Sequence, residues 1–257
     1  MKKIRVAYRL LLLGVHIVVG LGIVATLLRR GERLPPNDKA SKVVRWWLNR
    51  SGRIMGLRVK VSGVIPKGPV LVVSNHISWL DIPVLGGVLP VSFVSKSEIR
   101  QWPLLGVISG RGGTLFIRRG GKNAANEAAE RIAFRLRRGD SIAVFPEGTT
   151  TVGHSVRRFH PRLFGAAAHA DVAIQPVAIR YPHPLGVHPA VPFVRSESLF
   201  SHGVRALGEK RIDVEVTLCP LIASQPVDRR TLSTLAHEAI REEVEQQPQD
   251  TLTRSRG

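Results

Sequence analysis

The sequence predicts an α/β fold: a mixed, largely parallel sheet flanked by helices, behind an N-terminal membrane-associated helical segment. Three observations point there. Short apolar runs alternate with longer amphipathic stretches from about residue 58 onward. A long apolar run with basic flanks opens the chain. Residues able to do acid–base or ionic chemistry follow directly on three of the short apolar runs, so they can gather at one edge of the sheet.

The opening run extends from about Leu10 to Leu28, behind Lys2, Lys3, Arg5 and Arg9 and ahead of Arg29 and Arg30. Apart from His16 and Thr26 it is apolar or small. About 20 such residues can span a bilayer as a helix. No Ala-x-Ala pattern follows, which favours an anchor over a removed signal peptide. Basic residues lie at both ends, so charge does not set an orientation, and a helix lying in one leaflet competes with a spanning one. Pro35-Pro36 breaks the chain. Residues 39–57 then read as a second helix with Trp46 and Trp47 among Lys42, Arg45, Arg50 and Arg53. Its apolar and basic positions do not separate cleanly at a period of about 3.6 residues. The indoles suit a membrane interface or packing on the following domain. The expected division is an anchor plus basic helix over 1–57, a catalytic domain over 58–246 and a polar tail over 247–257.

Strands are predicted over 58–63, 69–75, 91–95, 114–118, 141–145, 172–179 and 211–218. Helices are predicted near 79–87, 123–138, 161–169 and 229–246. Asn123 is a candidate N-cap and Gly139 a candidate stop. Residues 182–208, rich in Pro, Gly and His, read as a loop or excursion.

The 257 residues carry a formal net charge of +19. Residues 1–60 hold 14 Lys or Arg against 2 acids, so most of the surplus sits beside the apolar run. That placement fits an anionic membrane surface. It fits nucleic acid less well, because no aromatic-rich RNA-binding pattern accompanies it. Cys219 is the only cysteine, which excludes an intrachain disulfide and a cysteine zinc cluster. The histidines are scattered, and His237-Glu238 lacks a second histidine four residues on, so no metal site is expected. The chain has no Gly-x-Ser-x-Gly elbow, Walker loop or Gly-x-Gly-x-x-Gly turn.

Chemistry concentrates in three segments. Asn75-His76-Ile77-Ser78-Trp79-Leu80-Asp81 follows the run Val70 to Ser74. A histidine at a strand end can accept a proton near neutral pH, and a nearby aspartate can fix its tautomer. Phe145-Pro146-Glu147-Gly148-Thr149-Thr150 follows Ser141 to Phe145, with Pro146 closing the strand and Gly148 permitting a tight turn. Gly113 to Gly120 reads as a strand ending in Arg118-Arg119, and paired guanidinium groups suit phosphate. Each segment alone also reads as an ordinary turn or a solvated surface.

In this order the segments resemble the glycerolipid acyltransferase family, in particular the 1-acylglycerol-3-phosphate acyltransferases. Four blocks carry the resemblance over roughly residues 55–220. They are Asn75-His76 with Asp81, Gly113 to Arg119, Phe145 to Thr149, and Pro176 inside the apolar run 172–179. Three positions depart from the pattern. Thr150 stands where Arg is frequent, His160 follows Phe159 where Lys is usual, and Arg118 replaces an Asp.

The resemblance implies a glycerol-3-phosphate acyltransferase-like fold. It also implies acyl transfer from acyl-CoA or acyl-carrier protein to the free hydroxyl of lysophosphatidate, giving phosphatidate. No cofactor beyond that co-substrate is implied. His76 would be the general base and Asp81 its partner. Arg119, with Arg118 beside it, would contact the phosphate. Glu147, Gly148 and Thr149 would bind the acceptor, and Lys96 is a candidate oxyanion donor. The implied setting is the cytoplasmic face of the inner membrane. The Phe145 to Thr150 block and Leu163-Phe164-Gly165-Ala166-Ala167 also look like lyso-ornithine lipid acyltransferases, an alternative with the same chemistry.

Overall fold

The computed structural model describes residues 1–26, 38–118, 124–194 and 197–245. Seven strands form one sheet: β1 (Leu57–Ser62), β2 (Leu71–Ser74), β3 (Ser92–Lys96), β4 (Leu115–Ile117), β5 (Ile142–Val144), β6 (Ile174–Arg180) and, after a short hairpin of β7 (Pro182–His183) with β8 (Gly186–Val187), β9 (Ile212–Leu218). Their order is β1-β9-β6-β2-β5-β3-β4. The five strands from β6 to β4 are parallel, β9 joins β6 antiparallel, and β1 joins β9 parallel. The mixed, largely parallel sheet is therefore as expected.

The helices are α1 (Lys2–Thr26), α2 (Lys39–Met55), α3 (Asp81–Val88), α4 (Leu105–Arg111), α5 (Ala124–Arg137), α6 (Gly165–Ala170), α7 (Leu199–Leu207) and α8 (Arg229–Glu245). They cover both faces. Strand β2 shows why its run is uninterruptedly apolar: Val72 packs with α3 and α7 residues on one face, while Leu71 and Val73 pack with α5, α6 and α8 on the other. All three are fully buried, each stabilising the fold by about 1.5–3 kcal/mol relative to exposure.

Helix α1 starts eight residues earlier than the apolar run and lies along the domain. At its start Lys2 pairs with Glu209 at 2.9 Å, and Arg5 and Arg9 donate to carbonyls of Leu207, Gly208, Glu209 and Lys210 at the C-terminal end of α7 and just past it. At its middle, His16 stacks on Trp47 with ring centroids 4.9 Å apart. The Trp47 indole N–H donates to the His16 carbonyl, and the His16 ring bonds the Trp47 carbonyl, both at 3.0 Å. Near its end Val24 packs on Ile108 of α4. That docking explains a histidine inside an apolar helix. Ile4, Tyr8, Leu11, Val15 and Val18, spaced at three and four residues, form an exposed stripe on the same helix. Helix α2 ends at Gly56, whose φ of +91° suits the left-handed C-cap and whose missing Cβ leaves room for the Arg9 guanidinium.

One expectation needs correction. Residues 182–208 are not a plain loop, since they contain the β7–β8 hairpin and α7. Ser198 caps α7 by accepting the Ser201 N–H at 3.1 Å, and buried His202, Ala206 and Leu207 hold its inner face. The Pro and Gly residues before it mask that nine-residue helix. The segment between β3 and β4, where the sequence predicts neither strand nor helix, holds a 3₁₀ turn (Ser97–Gln101) and α4. The candidate cap Asn123, Pro35-Pro36 and the tail 247–257 lie outside the described residues.

Candidate active site

The site grows from the C-terminal end of β2. Asn75 extends the strand by its side chain: its amide N–H donates to the Ile179 carbonyl at 2.9 Å, and its amide oxygen accepts the Ile179 N–H at 2.8 Å. This clamp ties β2 to β6. The chain then turns and enters α3 at Asp81, which is fully buried. One Asp81 oxygen, Oδ2, accepts the Ile77 N–H at 2.8 Å and the Ser78 N–H at 2.9 Å, closing the turn. The same oxygen lies 2.7 Å from His76 Nδ1. A carboxylate only accepts, so Nδ1 carries the hydrogen and Nε2 keeps its lone pair. The His76 ring stacks on Phe145 with centroids 3.9 Å apart and planes 13° apart. Its side chain remains 19% exposed, enough for a substrate to reach it.

The second segment holds the first from below. Glu147 is 4% exposed. Its Oε1 accepts the His76 backbone N–H at 2.8 Å, and Oε2 accepts the Arg157 N–H at 3.1 Å. Burial pushes its carboxyl up to about 6, against the pull of those two N–H groups. Both oxygens are thus occupied by backbone. Gly148 adopts φ of +75°, making the turn that follows, with its N–H on the Phe145 carbonyl at 3.1 Å. Thr149 is exposed at the loop tip. Thr150 points inward and donates its hydroxyl to the Phe193 carbonyl. Thr151 returns a backbone bond to the His76 carbonyl at 2.8 Å.

The parallel strands bring Lys96, at the end of β3, and Arg118, just past β4, to this same edge, both exposed. Neighbouring strands lie about 4.8 Å apart, so the strand order places Lys96 and Arg118 about 10 and 15 Å along the edge from β2. Arg119 lies outside the described residues. His76, Asp81, Glu147, Gly148 and Thr149 therefore form one cluster, and Lys96 and Arg118 flank it.

Sequence reasoning missed two contributors. The Tyr181 hydroxyl donates to Asp81 Oδ1 at 2.6 Å. Period two puts Val177, Ile179 and Tyr181 on one face, but nothing in the sequence names Asp81 as the partner. The Trp79 indole donates to His202 Nδ1 at 2.8 Å, so the His202 Nε2–H donates to the Val191 carbonyl, also at 2.8 Å. Burial lowers the His202 pKa and keeps it neutral in that role. No spacing in the sequence announces this pair. A separate cleft of about 790 Å³, lined by Arg53, Leu57, Pro83, Val84, Pro182 and Arg211 among others, contains none of the expected site residues. Among the described residues no group of three His, Cys, Asp or Glu side chains is placed to hold a metal.

A buried carboxylate behind a histidine with a free Nε2, at the rim of a parallel sheet, is an arrangement suited to proton transfer. The Acyltransferase family model matches residues 57–180, which span β1 to β6. A lyso-ornithine lipid O-acyltransferase of Pseudomonas aeruginosa is 43% identical and covers 88% of either chain. A 1-acyl-sn-glycerol-3-phosphate acyltransferase of Neisseria gonorrhoeae is 32% identical over 73% of this chain and 74% of its own. The crystal structure of the 1-acyl-sn-glycerophosphate acyltransferase PlsC from Thermotoga maritima shares the fold, with a TM-score of 0.70 at 24% identity, covering 95% of this chain and 97% of that one. The chain belongs to the glycerolipid acyltransferase family and is an acyltransferase enzyme.

Proposed function

We propose that the protein transfers a fatty acyl group from an acyl thioester to the hydroxyl of a lysolipid at a membrane surface. The observation that carries this reading is His76, held by Asp81 through Nδ1 and open at Nε2. The acceptor oxygen attacks the thioester carbonyl as its proton passes to Nε2. The tetrahedral intermediate collapses with cleavage of the carbon–sulfur bond, and the proton leaves with the thiolate. General-base help of this kind contributes about 10²–10⁴-fold. The acceptor is itself the nucleophile, so no serine or cysteine has to form an acyl-enzyme. Asp81 stabilises the transient imidazolium. Glu147 acts here as a clamp on the His76 backbone, with Gly148 and Thr149 presenting the loop to the acceptor.

For the acceptor, we favour a lyso-ornithine lipid. Thr150 supports this: its hydroxyl is spent inside the loop, and the cation that phosphate-acceptor relatives frequently carry there is missing. The 43% identical relative named for that substrate points the same way. Lysophosphatidate is the second reading, favoured by exposed Lys96 and Arg118 at the edge, with Arg119 as its phosphate contact. Lys96 also suits the oxyanion. The donor is acyl-CoA or acyl-carrier protein.

The exposed α1 stripe, Trp46, and the exposed Trp102, Leu104, Leu105 and Val107 in and just before α4 give the protein apolar surface for lipid. Because α1 is docked along its length, it fits a helix lying in one leaflet, and we place the enzyme on the cytoplasmic side of the inner membrane.

The test is thiol release from acyl-CoA, then from acyl-carrier protein, by detergent-solubilised protein, offered either lysolipid and run beside His76→Ala. Release that requires lyso-ornithine lipid and His76 supports the reading. Release with lysophosphatidate alone selects the second reading, and release unaffected by His76→Ala rejects the mechanism.

A further inference from the structure

The Asp81 carboxylate has two oxygens with unequal company. Oδ2 takes three donors, from His76, Ile77 and Ser78. Oδ1 takes one, the Tyr181 hydroxyl at 2.6 Å. Asp81 is inaccessible to solvent and Tyr181 is 1% exposed, so water does not replace that donor. We propose that Tyr181 is a positioning residue of the acyl transfer, setting through Asp81 both the orientation and the basicity of His76.

The fold delivers this hydroxyl from a distance of one hundred residues in sequence. The Asn75 clamp fixes Ile179 against the end of β2. Two residues on, the strand period turns Tyr181 to the same face, where α3 begins with Asp81. Burial, and then the Asp81 charge, hold the phenol well above its ordinary pKa, so it stays a donor throughout the working range.

A donor on Oδ1 draws negative charge away from the oxygen that faces His76. It therefore tempers how strongly Asp81 stabilises the imidazolium. It also stops the carboxylate rotating, which keeps the His76 ring in line. The other titratable groups around the pair are Glu147 on the His76 N–H, His188 whose N–H bonds the Tyr181 carbonyl, and His202 behind Trp79. None of these side chains bonds to Oδ1, so a change at the phenol reaches the base only through Asp81.

The inference rests on His76 being the base, so the experiment includes His76→Ala. Acyl transfer is measured across pH with the donor and lysolipid that the wild type turns over. Tyr181→Phe is expected to lower kcat about five- to tenfold, leave KM within twofold, and move the acid limb of kcat/KM to higher pH. The chain has two tyrosines, Tyr8 and Tyr181. Replacing tyrosine by fluorotyrosine in a Tyr8→Phe background therefore modifies Tyr181 alone without removing its hydroxyl. The more acidic phenol donates more strongly, and the limb is expected to move the opposite way, to lower pH. A merely structural hydroxyl would produce no opposed pair of shifts.

An unmoved limb in both proteins, with kcat within twofold, overturns the inference while leaving His76 in place. If Tyr181→Phe does not fold, the fluorotyrosine protein decides alone. Full activity in His76→Ala overturns the general-base reading and this inference together.

Discussion

The two halves of the sheet edge are built differently. Around β2 and β5, both carboxylates are buried and every carboxylate oxygen has a partner: four donors reach Asp81 and two backbone N–H groups reach Glu147. Around β3 and β4, the Lys96 and Arg118 side chains are exposed and pair with nothing among the described residues. A closed network leaves one arrangement for the histidine and suits a step that is the same for every acceptor. An open cationic rim can be altered residue by residue at little cost in stability. On the reading proposed above, the proton transfer belongs to the closed half, and the cationic contacts that a phosphate acceptor would use belong to the open one.

The largest effect should come from breaking the closed half at its working atom. His76→Ala is expected to lower kcat by about 10³-fold while thermal unfolding shows a retained fold. Asp81→Asn should cost nearly as much activity. It should also lower stability by about 3 kcal/mol, because a neutral amide cannot accept from His76, Ile77, Ser78 and Tyr181 together. Wild-type stability retained by Asp81→Asn in urea titration would show that the turn does not depend on the carboxylate.

Glu147 sharpens the comparison next. Glutamine can accept only one of the two backbone N–H groups, so Glu147→Gln should lower kcat about tenfold with the His76 loop loosened. The buried carboxyl titrates at about 6 in the fold against about 4.5 unfolded. The folded state therefore binds the proton more tightly. Stability from this group is greatest below about pH 4.5 and declines as pH rises through about 6, by at most about 2 kcal/mol. Denaturant midpoints of wild type minus Glu147→Gln should show that slope between these pH values. A parallel pair of curves would mean that the carboxyl is not desolvated.

The legibility of these halves in the sequence also differed. Each of the seven sheet strands lies within two residues of its expected bounds: β2, β5 and β6 are buried apolar runs, while β1 and β9 alternate apolar and polar residues at period two. His76, Asp81 and Glu147 were legible because chemistry and turn geometry share a few consecutive residues. Tyr181, one hundred residues from its partner, was not, since only the strand order and the Asn75 clamp bring it there. Glu147 was expected to touch the acceptor, and its inward turn toward the His76 backbone depends on the β2–β5 register, which no single segment encodes. Helix α7 was hidden because its signal is one capping serine and a short apolar face behind a Pro-rich stretch.

The smallest expected effect lies on the open half, and there the acceptor itself is the reagent. Arg118→Ala and Lys96→Ala should change stability by no more than about 0.5 kcal/mol, since both side chains are exposed and neither has a partner among the described residues. With lysophosphatidate, each should raise acceptor KM about three- to tenfold and leave kcat nearly unchanged, and added salt should produce a similar rise in the wild type. With lyso-ornithine lipid, whose head carries both an ammonium and a carboxylate, the same variants should move KM less than twofold. If Lys96→Ala instead lowers kcat for both acceptors equally, its ammonium serves the oxyanion, and the division between a closed catalytic half and an open selecting half has to be redrawn to include β3.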